Sequence, residues 1–369
     1  VNAAVIAYAV PPLLSPQAPL VHYAVLNGLD RGVLASAGID TRHLHDLPNP
    51  VSEFTGLPDP VATKARFALK FNFDQNRRLV LYPVRGIRRK NVGEILLWSA
   101  LARGESIFAV TLAPINPEER VNHDAWQALA TELELPCLFD VGHSGGFSFA
   151  ENLAACDQII TTSVAEGFGM VFLEAWLAVR PLIGRDLPEI TADFVAAGVR
   201  YDHLKPSVQV PVEWVGRDKL AAALSSMYLK VLEAYNTPPP ERATLDGEID
   251  SLITHDAIDF ASCPHELQAE IVRLACTQSN RVDTLLEMNP WIQDALAADT
   301  ASEAATIEHN ATVVRESYSL TECGHRLRRV YADVIGSPTD SDIHPPKSGD
   351  RVLASFLALD RLRPIRLEA

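Results

Sequence analysis

Two glutamates, Glu166 and Glu174, stand eight positions apart on either side of a glycine-rich turn. Carboxylates accept hydrogen bonds from hydroxyl groups, which are the groups that sugars offer. In a helix the side chain of Glu174 would lean back toward the N-terminus, so both carboxylates could face one pocket. The alternative is that Glu166 caps the helix while Glu174 lies on a solvated face.

The turn between the two glutamates adds a second chemical property. A β-branched run at 158–163 predicts a strand before it, and the apolar run 170–179 predicts a helix after it. Glycines let the backbone approach a ligand closely, and the free N–H groups at a helix start suit an anion. The residues of this turn are therefore candidate ligand-binding residues: Gly167, Phe168, Gly169 and Met170.

A basic loop follows an earlier predicted strand in the segment RRLVLYPVRGIRRKNVGEILLWSALA. It carries Arg85, Arg88, Arg89 and Lys90 directly before a predicted helix at 91–102. In a protein of formal net charge −15, such a cluster predicts a binding site for an anion, with phosphate as the candidate. A surface charge run is the alternative when the segment is taken alone.

Together these segments resemble the C-terminal domain of retaining GT-B glycosyltransferases of the family-4 and glycogen-synthase-like superfamily. Arg85 and Lys90 match the family's arginine and lysine, five positions apart, and Glu166 and Glu174 match its E-x7-E motif in EGFGMVFLEA. The segment 18–51 is similar to the connection that leads into the donor domain, so the resemblance covers roughly residues 20–235.

The resemblance implies roles for these residues. Arg85 and Lys90 would neutralise a nucleotide diphosphate, Glu174 would hold the ribose, and Glu166 would contact the donor sugar near the reacting centre. Enzymes of this kind typically work without a metal ion or a cofactor, so neither is expected. Asn91 stands where the family often has glycine, and the loop carries more positive charge than usual.

The elements that must position these residues alternate between strand and helix. Strands are predicted at 79–82, 106–111, 136–141, 158–162 and 181–183, and helices at 91–102, 121–134, 148–155 and 170–179. This order predicts an α/β fold with a Rossmann-like parallel sheet and helices on both faces. Ligands bind beyond the carboxyl ends of such strands, where Arg85, Lys90, His143 and Glu166 all fall.

Two further loops at this edge leave alternatives open. The loop 140–149 contains Gly142 and His143 and, by the resemblance, would help to enclose the nucleotide base, although a plain surface turn is equally compatible. After the next strand, Arg185, Asp186 and Glu189 line the cleft in one interpretation and serve capping and surface pairing in the other.

Composition and length divide the chain into three predicted parts. Residues 1–50 are interpreted as a remnant of an N-terminal acceptor domain with its linker, because about fifty residues precede the donor domain where the family has well over a hundred. Residues 51–240 form the predicted donor-binding domain, and 241–369 a helical C-terminal extension and tail. Helical spacing of apolar residues supports this extension at 267–275, 281–289 and 313–335.

The expected partners are a nucleotide-sugar donor and an acceptor that the sequence does not define. A pI near 5.2 argues against nucleic acid, and no run is long enough for an integral membrane segment. The opening stretch 1–15 lacks a signal-peptide pattern. Length, composition and five widely spaced cysteines, expected to be reduced, are typical of a cytoplasmic protein. The sequence predicts no particular oligomeric state.

The predicted function is transfer of a hexose from a nucleotide diphosphate sugar with retention at the anomeric carbon. One alternative is a nucleotide-sugar-binding or regulatory protein that lacks catalysis. Another is an epimerase that acts on a nucleotide sugar, which would share the fold and much of the donor pocket.

Overall fold

The computed structural model describes residues 17–143, 146–338, 343–344, 347–348 and 350–366. The opening stretch 1–15, interpreted above as part of a first domain, lies outside the described residues, as do Ser144 and Gly145 of the 140–149 loop.

The central element is a six-stranded sheet in which every neighbouring pair is parallel. Its spatial order is β5-β4-β3-β6-β7-β8. The strands are β3 (Arg78–Arg85), β4 (Ser106–Leu112), β5 (Cys137–Leu138), β6 (Gln158–Thr161), β7 (Leu182–Arg185) and β8 (Leu204–Lys205). The chain winds outward from β3 to one edge, then returns to place β6 on the other side of β3, which is the doubly wound Rossmann order.

Smaller sheets flank this one. Strands β1 (Tyr23–Val25) and β2 (Leu44–Asp46) pair in parallel. Strands β9 (Gln209–Pro211), β10 (Ile253–Thr254) and β11 (Ala257–Asp259) form an antiparallel sheet with β11 in the middle.

The helices up to β8 connect the strands. They are α1 (Gly28–Ser36), α2 (Pro60–Phe71), α3 (Val92–Leu101), α4 (Pro117–Glu132), α5 (Phe149–Ala155), α6 (Val171–Leu177) and α7 (Pro188–Ala196). Short 3-10 turns lie at Thr41–His43 and Arg88–Lys90. The predicted strands and helices of this region are all present, with ends that differ by a few residues.

The helices beyond β8 are more numerous than the amphipathic pattern alone predicted. They are α8 (Arg217–Ala234), α9 (Arg242–Ser251), α10 (His265–Thr277), α11 (Ser279–Met288), α12 (Trp291–Ala297), α13 (Ala304–Ser317), α14 (Leu320–Ile335), α15 (Asp350–Leu357) and α16 (Leu359–Leu362). Further 3-10 turns lie at Val212–Trp214, Phe260–Ser262 and Pro364–Arg366. The stretch 313–335 holds two helices rather than one, because Ser319 starts α14 by accepting a hydrogen bond from the N–H of Glu322.

Side chains alternate between the two faces of the sheet and create two hydrophobic cores. On β3, Val80 and Tyr82 face one core, whereas Leu79 and Leu81 face the other. The first core receives α3, α4 and the C-terminal helices α8 to α12, and the second receives α2, α5, α6, α7 and α13. Helices therefore cover both faces of the sheet, as the α/β prediction requires.

The C-terminal helices belong to these cores. Leu267 and Ile271 of α10 are buried against α3, and Ile365 near the end of the described chain is 0% exposed. The packing thus crosses the predicted boundary at residue 240, and the boundaries at 50 and 240 stay predictions. Among the described residues, no helix combines the length and apolar character that a membrane span needs.

Candidate donor-binding site

The site lies where the winding direction of the sheet reverses, between β3 and β6. Side chains that follow these two strands meet there: Lys90 Nζ donates a hydrogen bond to Glu166 Oε1. Open parallel sheets bind ligands in the crevice at this position, because the loops after the two strands diverge to opposite sides. The sequence prediction that Lys90 and Glu166 share one edge of the sheet is consistent with this contact.

Three donors hold the Glu166 carboxylate. Besides Lys90, Arg89 Nη1 donates to Oε2 at 2.5 Å, and Ser163 Oγ is 2.6 Å from Oε1. Ser163 in turn bonds the Tyr82 hydroxyl at 2.7 Å, which fixes its position from the core of the sheet. The Glu166 side chain is only 7% exposed, so its orientation is set by these partners.

Burial and neighbouring charges shift the pKa values of Glu166 and Lys90. Burial alone would raise the pKa of Glu166, but the positive charges of Lys90 and Arg89 outweigh it and hold that pKa below its usual value. Burial lowers the pKa of Lys90, the attraction of Glu166 opposes this, and the charge of Arg89 adds to the lowering. Glu166 is therefore an ionised, preorganised acceptor.

Asn91 shapes the basic loop at the position where glycine is usual in the resembling family. Its backbone is left-handed, with φ 49° and ψ 54°, a conformation that asparagine tolerates better than most residues. Its side chain donates to Glu94 Oε2 at 2.8 Å, and the carbonyls of Lys90 and Asn91 accept from Thr162 Oγ1. Asparagine thus keeps the turn of the loop and adds a hydrogen bond that glycine could not make.

The four cations of the loop have different partners. Arg88 is bound to Glu119 on α4, with its Nε 3.3 Å from Oε1, and this contact anchors the loop. Arg89 and Lys90 share Glu166. Arg85 is exposed and donates to the carbonyl of Ala113 at 3.2 Å, so it does not join the Glu166 cluster in this structure.

The glycine turn is shaped by its two glycines in different ways. Gly169 has φ +81°, and a Cβ there would come within 2.6 Å of Phe172 Cδ2, so the turn requires glycine. Gly167 is exposed with open space beside it, which leaves room for a ligand. Phe168 is 4% exposed and packs on Phe194, so a ligand contact from this residue would come from its backbone.

Met170 and Glu174 occupy the start of α6. Met170 is half-buried and caps the helix without a side-chain hydrogen bond. Within the described chain the Glu174 carboxylate has no hydrogen-bond partner, and burial raises its pKa. A half-buried carboxylate without a partner is consistent with a group that awaits ligand hydroxyls.

The N-terminal segment contributes a residue that the sequence reasoning missed. Asn27 is 6% exposed, caps α1, and donates from Nδ2 to the carbonyl of Gly167 at 3.0 Å. The neighbouring Gly28 N–H donates to Asp193 Oδ2 at 2.6 Å. The glycine turn is thus held from outside the sheet, and an Asn-Gly pair before a helical pattern was the available signal.

Arg85, Gly142 and His143 line a separate part of the same sheet edge. Arg85 and His143 border a cleft of about 450 Å³ beside β4 and α4. Gly142 lines the adjoining cavity, where a Cβ would approach the Thr111 carbonyl at 3.2 Å. The structure therefore divides the predicted residues into a cluster around Glu166 and a cleft around Arg85.

Arg185 does not line the cleft. It is 1% exposed and bonds Glu94 Oε2 at 2.6 Å and Asp259 Oδ1 at 2.8 Å. Asp186 accepts a hydrogen bond from Thr191. Both interpretations given above are therefore wrong for Arg185, because it forms ion pairs in the interior and neither lines the cleft nor pairs on the surface.

The described residues include no group of three or more His, Cys, Asp and Glu side chains that could hold a metal ion.

Comparison with known proteins agrees with the resemblance. The chain is 25% identical over 363 residues to the mannosylglucosyl-3-phosphoglycerate synthase of Petrotoga mobilis, and the match covers 93% of this chain and 68% of that protein. No protein-family profile matches the chain. The relative is a glycosyltransferase, which confirms the resemblance stated from the motifs at the level of glycosyltransferases.

Solved glycosyltransferase structures are similar at lower identity. HepE of Anabaena, solved with UDP and glucose, is 13% identical with a TM-score of 0.44, and the match covers 85% of this chain and 63% of HepE. A glycosyltransferase of Rickettsia africae is 13% identical with a TM-score of 0.47, covering 86% of this chain and 64% of that one. The chain thus spans less than two thirds of the length of these structures.

Proposed function

We propose that this chain, a homologue of a glycosyltransferase, transfers a sugar from a nucleotide diphosphate sugar to an acceptor with retention at the anomeric carbon. The observation that supports this most is the contact of Lys90 and Arg89 with Glu166 at the reversal point of the sheet. Cations and an oriented carboxylate are combined there, as a diphosphate and a sugar require.

Each group has a distinct part in the proposed reaction. When the bond between the anomeric carbon and the diphosphate oxygen breaks, negative charge develops on the diphosphate. Lys90, Arg89 and Arg85 stabilise that charge as preorganised cations. Glu166 accepts hydrogen bonds from hydroxyls of the donor sugar, and Glu174 accepts them from the ribose. Retention of configuration is supported by the E-x7-E resemblance.

The cleft beside Arg85 is the proposed place for the rest of the nucleotide. Gly142 gives close backbone approach there, and His143 borders the open side. Gly167, Gly169 and Met170 would contact the donor through their backbone, on the side where Gly167 is exposed. No metal ion or cofactor enters this proposal, so removal of divalent ions with EDTA should leave transfer unchanged.

The name of the sequence relative suggests the first acceptor to test. That protein makes mannosylglucosyl-3-phosphoglycerate, a product that carries a phosphate group. On this basis an anionic, phosphorylated glycoside is the proposed acceptor class for this chain.

A donor screen followed by a transfer assay tests the function. Thermal unfolding is measured with UDP, GDP and ADP sugars, and the donor that stabilises the protein is incubated with glucosyl-3-phosphoglycerate. We expect a new glycoside whose anomeric configuration, read by NMR, equals that of the donor. Transfer should be lost in Glu166→Ala and Lys90→Ala but kept in Glu119→Gln, which changes the neighbouring Arg88 contact only.

Three results would contradict the proposal. Binding of a nucleotide without turnover on any phosphorylated acceptor favours a binding protein. Interconversion of nucleotide sugars without an acceptor favours an epimerase. Inversion at the anomeric carbon leaves glycosyl transfer but removes the proposed stereochemistry.

A further inference from the structure

The C-terminal segment places an arginine beside the basic loop. The turn Pro364–Arg366 packs against the turn Arg88–Lys90, although the two are separated by more than two hundred and fifty residues of sequence. Ile365 is 0% exposed and Leu362 is 8% exposed, so apolar burial anchors the segment on both sides of its bend. Arg366 is thereby held at the loop while its side chain keeps access to solvent.

A polar contact fixes the same segment. Arg363 Nη1 donates to Asp259 Oδ2 at 3.3 Å and to Ser262 Oγ at 3.0 Å. Asp259 also binds the buried Arg185, which bonds Glu94. The segment that carries Arg366 is therefore connected, through charged groups, to α3, the helix that follows the basic loop.

The backbone N–H of Arg366 donates to the carbonyl of Arg363, but its guanidinium has no hydrogen-bonded or ion-paired partner within the part of the chain that the structure describes. Burial and then the positive charge of Arg89 lower its pKa. Arg89 and Lys90 already share the single carboxylate of Glu166, and Arg366 adds a further positive charge beside Arg89. Among the described residues, the positive charges at this end of the basic loop therefore outnumber the carboxylates that pair with them. Like charges held together repel unless an anion joins them.

We propose that Arg366 and Arg89 form a subsite for oxyanions beside Glu166. This subsite binds a phosphate group of a substrate. The planar guanidinium groups suit the paired oxygens of a phosphate. The proposal rests on the proposed function only in taking the substrates to be phosphorylated. The phosphate belongs either to the diphosphate of the donor or to an anionic acceptor.

The test measures binding of three probes to the full chain: inorganic pyrophosphate, a nucleoside diphosphate and 3-phosphoglycerate. The variants are Arg366→Ala and Arg366→Glu. The matched control is Arg361→Ala, since Arg361 lies in the same segment and, among the described residues, its side chain bonds only Ser355. We expect Arg366→Ala to weaken at least one probe by about tenfold or more, as the loss of a charge-assisted hydrogen bond predicts. Arg361→Ala should bind every probe like the wild type.

The variant Arg366→Glu distinguishes a loss of oxyanion binding from a loss of folded protein. A carboxylate at this position would pair with Arg89, so thermal unfolding should occur at the same or a higher temperature while oxyanion binding is lost. Loss limited to pyrophosphate and the nucleotide assigns the subsite to the donor, and loss limited to 3-phosphoglycerate assigns it to the acceptor.

Failure of this proposal can be told from failure of the proposed function. If wild type and Arg366→Ala bind every probe equally, the subsite does not exist, whatever the enzyme does. If the wild type binds 3-phosphoglycerate or pyrophosphate through Arg366 but binds no nucleotide, the subsite stands and the donor function falls. If the wild type binds none of the probes, both are overturned.

Discussion

Replacing Glu166 with glutamine should make the protein less stable without ligand and more responsive to a nucleoside diphosphate. Glutamine keeps the size of the side chain and an oxygen that Ser163 can reach. It removes the negative charge between Lys90 and Arg89. The two cations would then lie together without their counter-charge until an anion binds.

The size of the effect follows from exposure. The Lys90 side chain is 11% exposed and that of Arg89 is 39% exposed, so water screens only the second contact well. Breaking a fully buried ion pair costs about 3–5 kcal/mol. Because the Arg89 contact is partly exposed and screened by water, the expected cost of removing the Glu166 charge is about 2 kcal/mol. For a chain of 369 residues that corresponds to a fall of roughly 3 °C in the unfolding midpoint.

The ligand effect has the opposite sign. A bound diphosphate no longer competes with the Glu166 carboxylate for the same cations, so its affinity should rise about tenfold, and this adds about 1.4 kcal/mol of stabilisation at saturating ligand. Thermal unfolding with and without the nucleoside diphosphate measures both effects. Sugar transfer is assayed in parallel and should be lost.

Glu119→Gln provides the control for this prediction. It breaks the Arg88 contact in the same loop but touches neither Lys90 nor Arg89. It should lower stability with no change in the response to the nucleotide. If Glu166→Gln gains no more from the nucleotide than the wild type does, the cations at Glu166 do not bind the diphosphate and the reasoning is wrong.

Three further predictions concern the glycine turn, the Arg85 cleft and a buried carboxyl. Gly169→Ala should lower the free energy of unfolding by about 2 kcal/mol, because Gly169 has φ +81° and a new Cβ would contact Phe172. Gly167→Ala should change that free energy by less than about 0.5 kcal/mol, since the space beside Gly167 is open. Equal losses of stability for the two variants in chemical denaturation would refute this prediction. Arg85→Ala should weaken nucleotide binding about tenfold in titration calorimetry without a shift in thermal unfolding, since among the described residues the exposed side chain bonds only the carbonyl of Ala113. Burial raises the pKa of Glu94 to about 7 against the opposing charge of Arg185, so the folded state binds the proton more tightly and stability should fall as pH rises from about 4.5 to 7. Glu94→Gln should flatten that part of the pH profile of thermal unfolding, and an unchanged profile would assign the titration to another group.

The sequence predicted five of the six strands of the sheet, and it missed the short edge strand β8 (Leu204–Lys205). Strand periodicity placed β3, β4, β6 and β7 to within a few residues, because buried parallel strands are continuous apolar runs whose identity does not depend on distant contacts. Strand β5 was overestimated at 136–141, since only Cys137–Leu138 pair with β4. A hydrophobic run shows that a segment is buried, but its paired length depends on the register with its neighbour.

Long-range contacts could not be read from the sequence in the same way. Asn27 reaches Gly167 across 140 positions, and the segment that carries Arg366 meets the basic loop from the far end of the described chain. Local patterns hold no information about such pairs, because the contact depends on how the whole chain winds around the sheet. The sequence shows the cluster of positive charges after β3. Which of these charges are neutralised depends on Glu119 and Glu166, which lie elsewhere in the chain.

The four cations of the basic loop illustrate why charge type and spacing are only half of a site. The sequence shows four equivalent positive charges. In the structure Arg88 pairs with Glu119, Arg89 and Lys90 pair with Glu166, and Arg85 lies at a separate cleft. What matters to an anion is the charge that remains after these pairings, in a protein whose total charge is −15. Because the surrounding surface repels anions, a diphosphate would be attracted only to the places where uncompensated cations remain, and the reversal point between β3 and β6 is such a place.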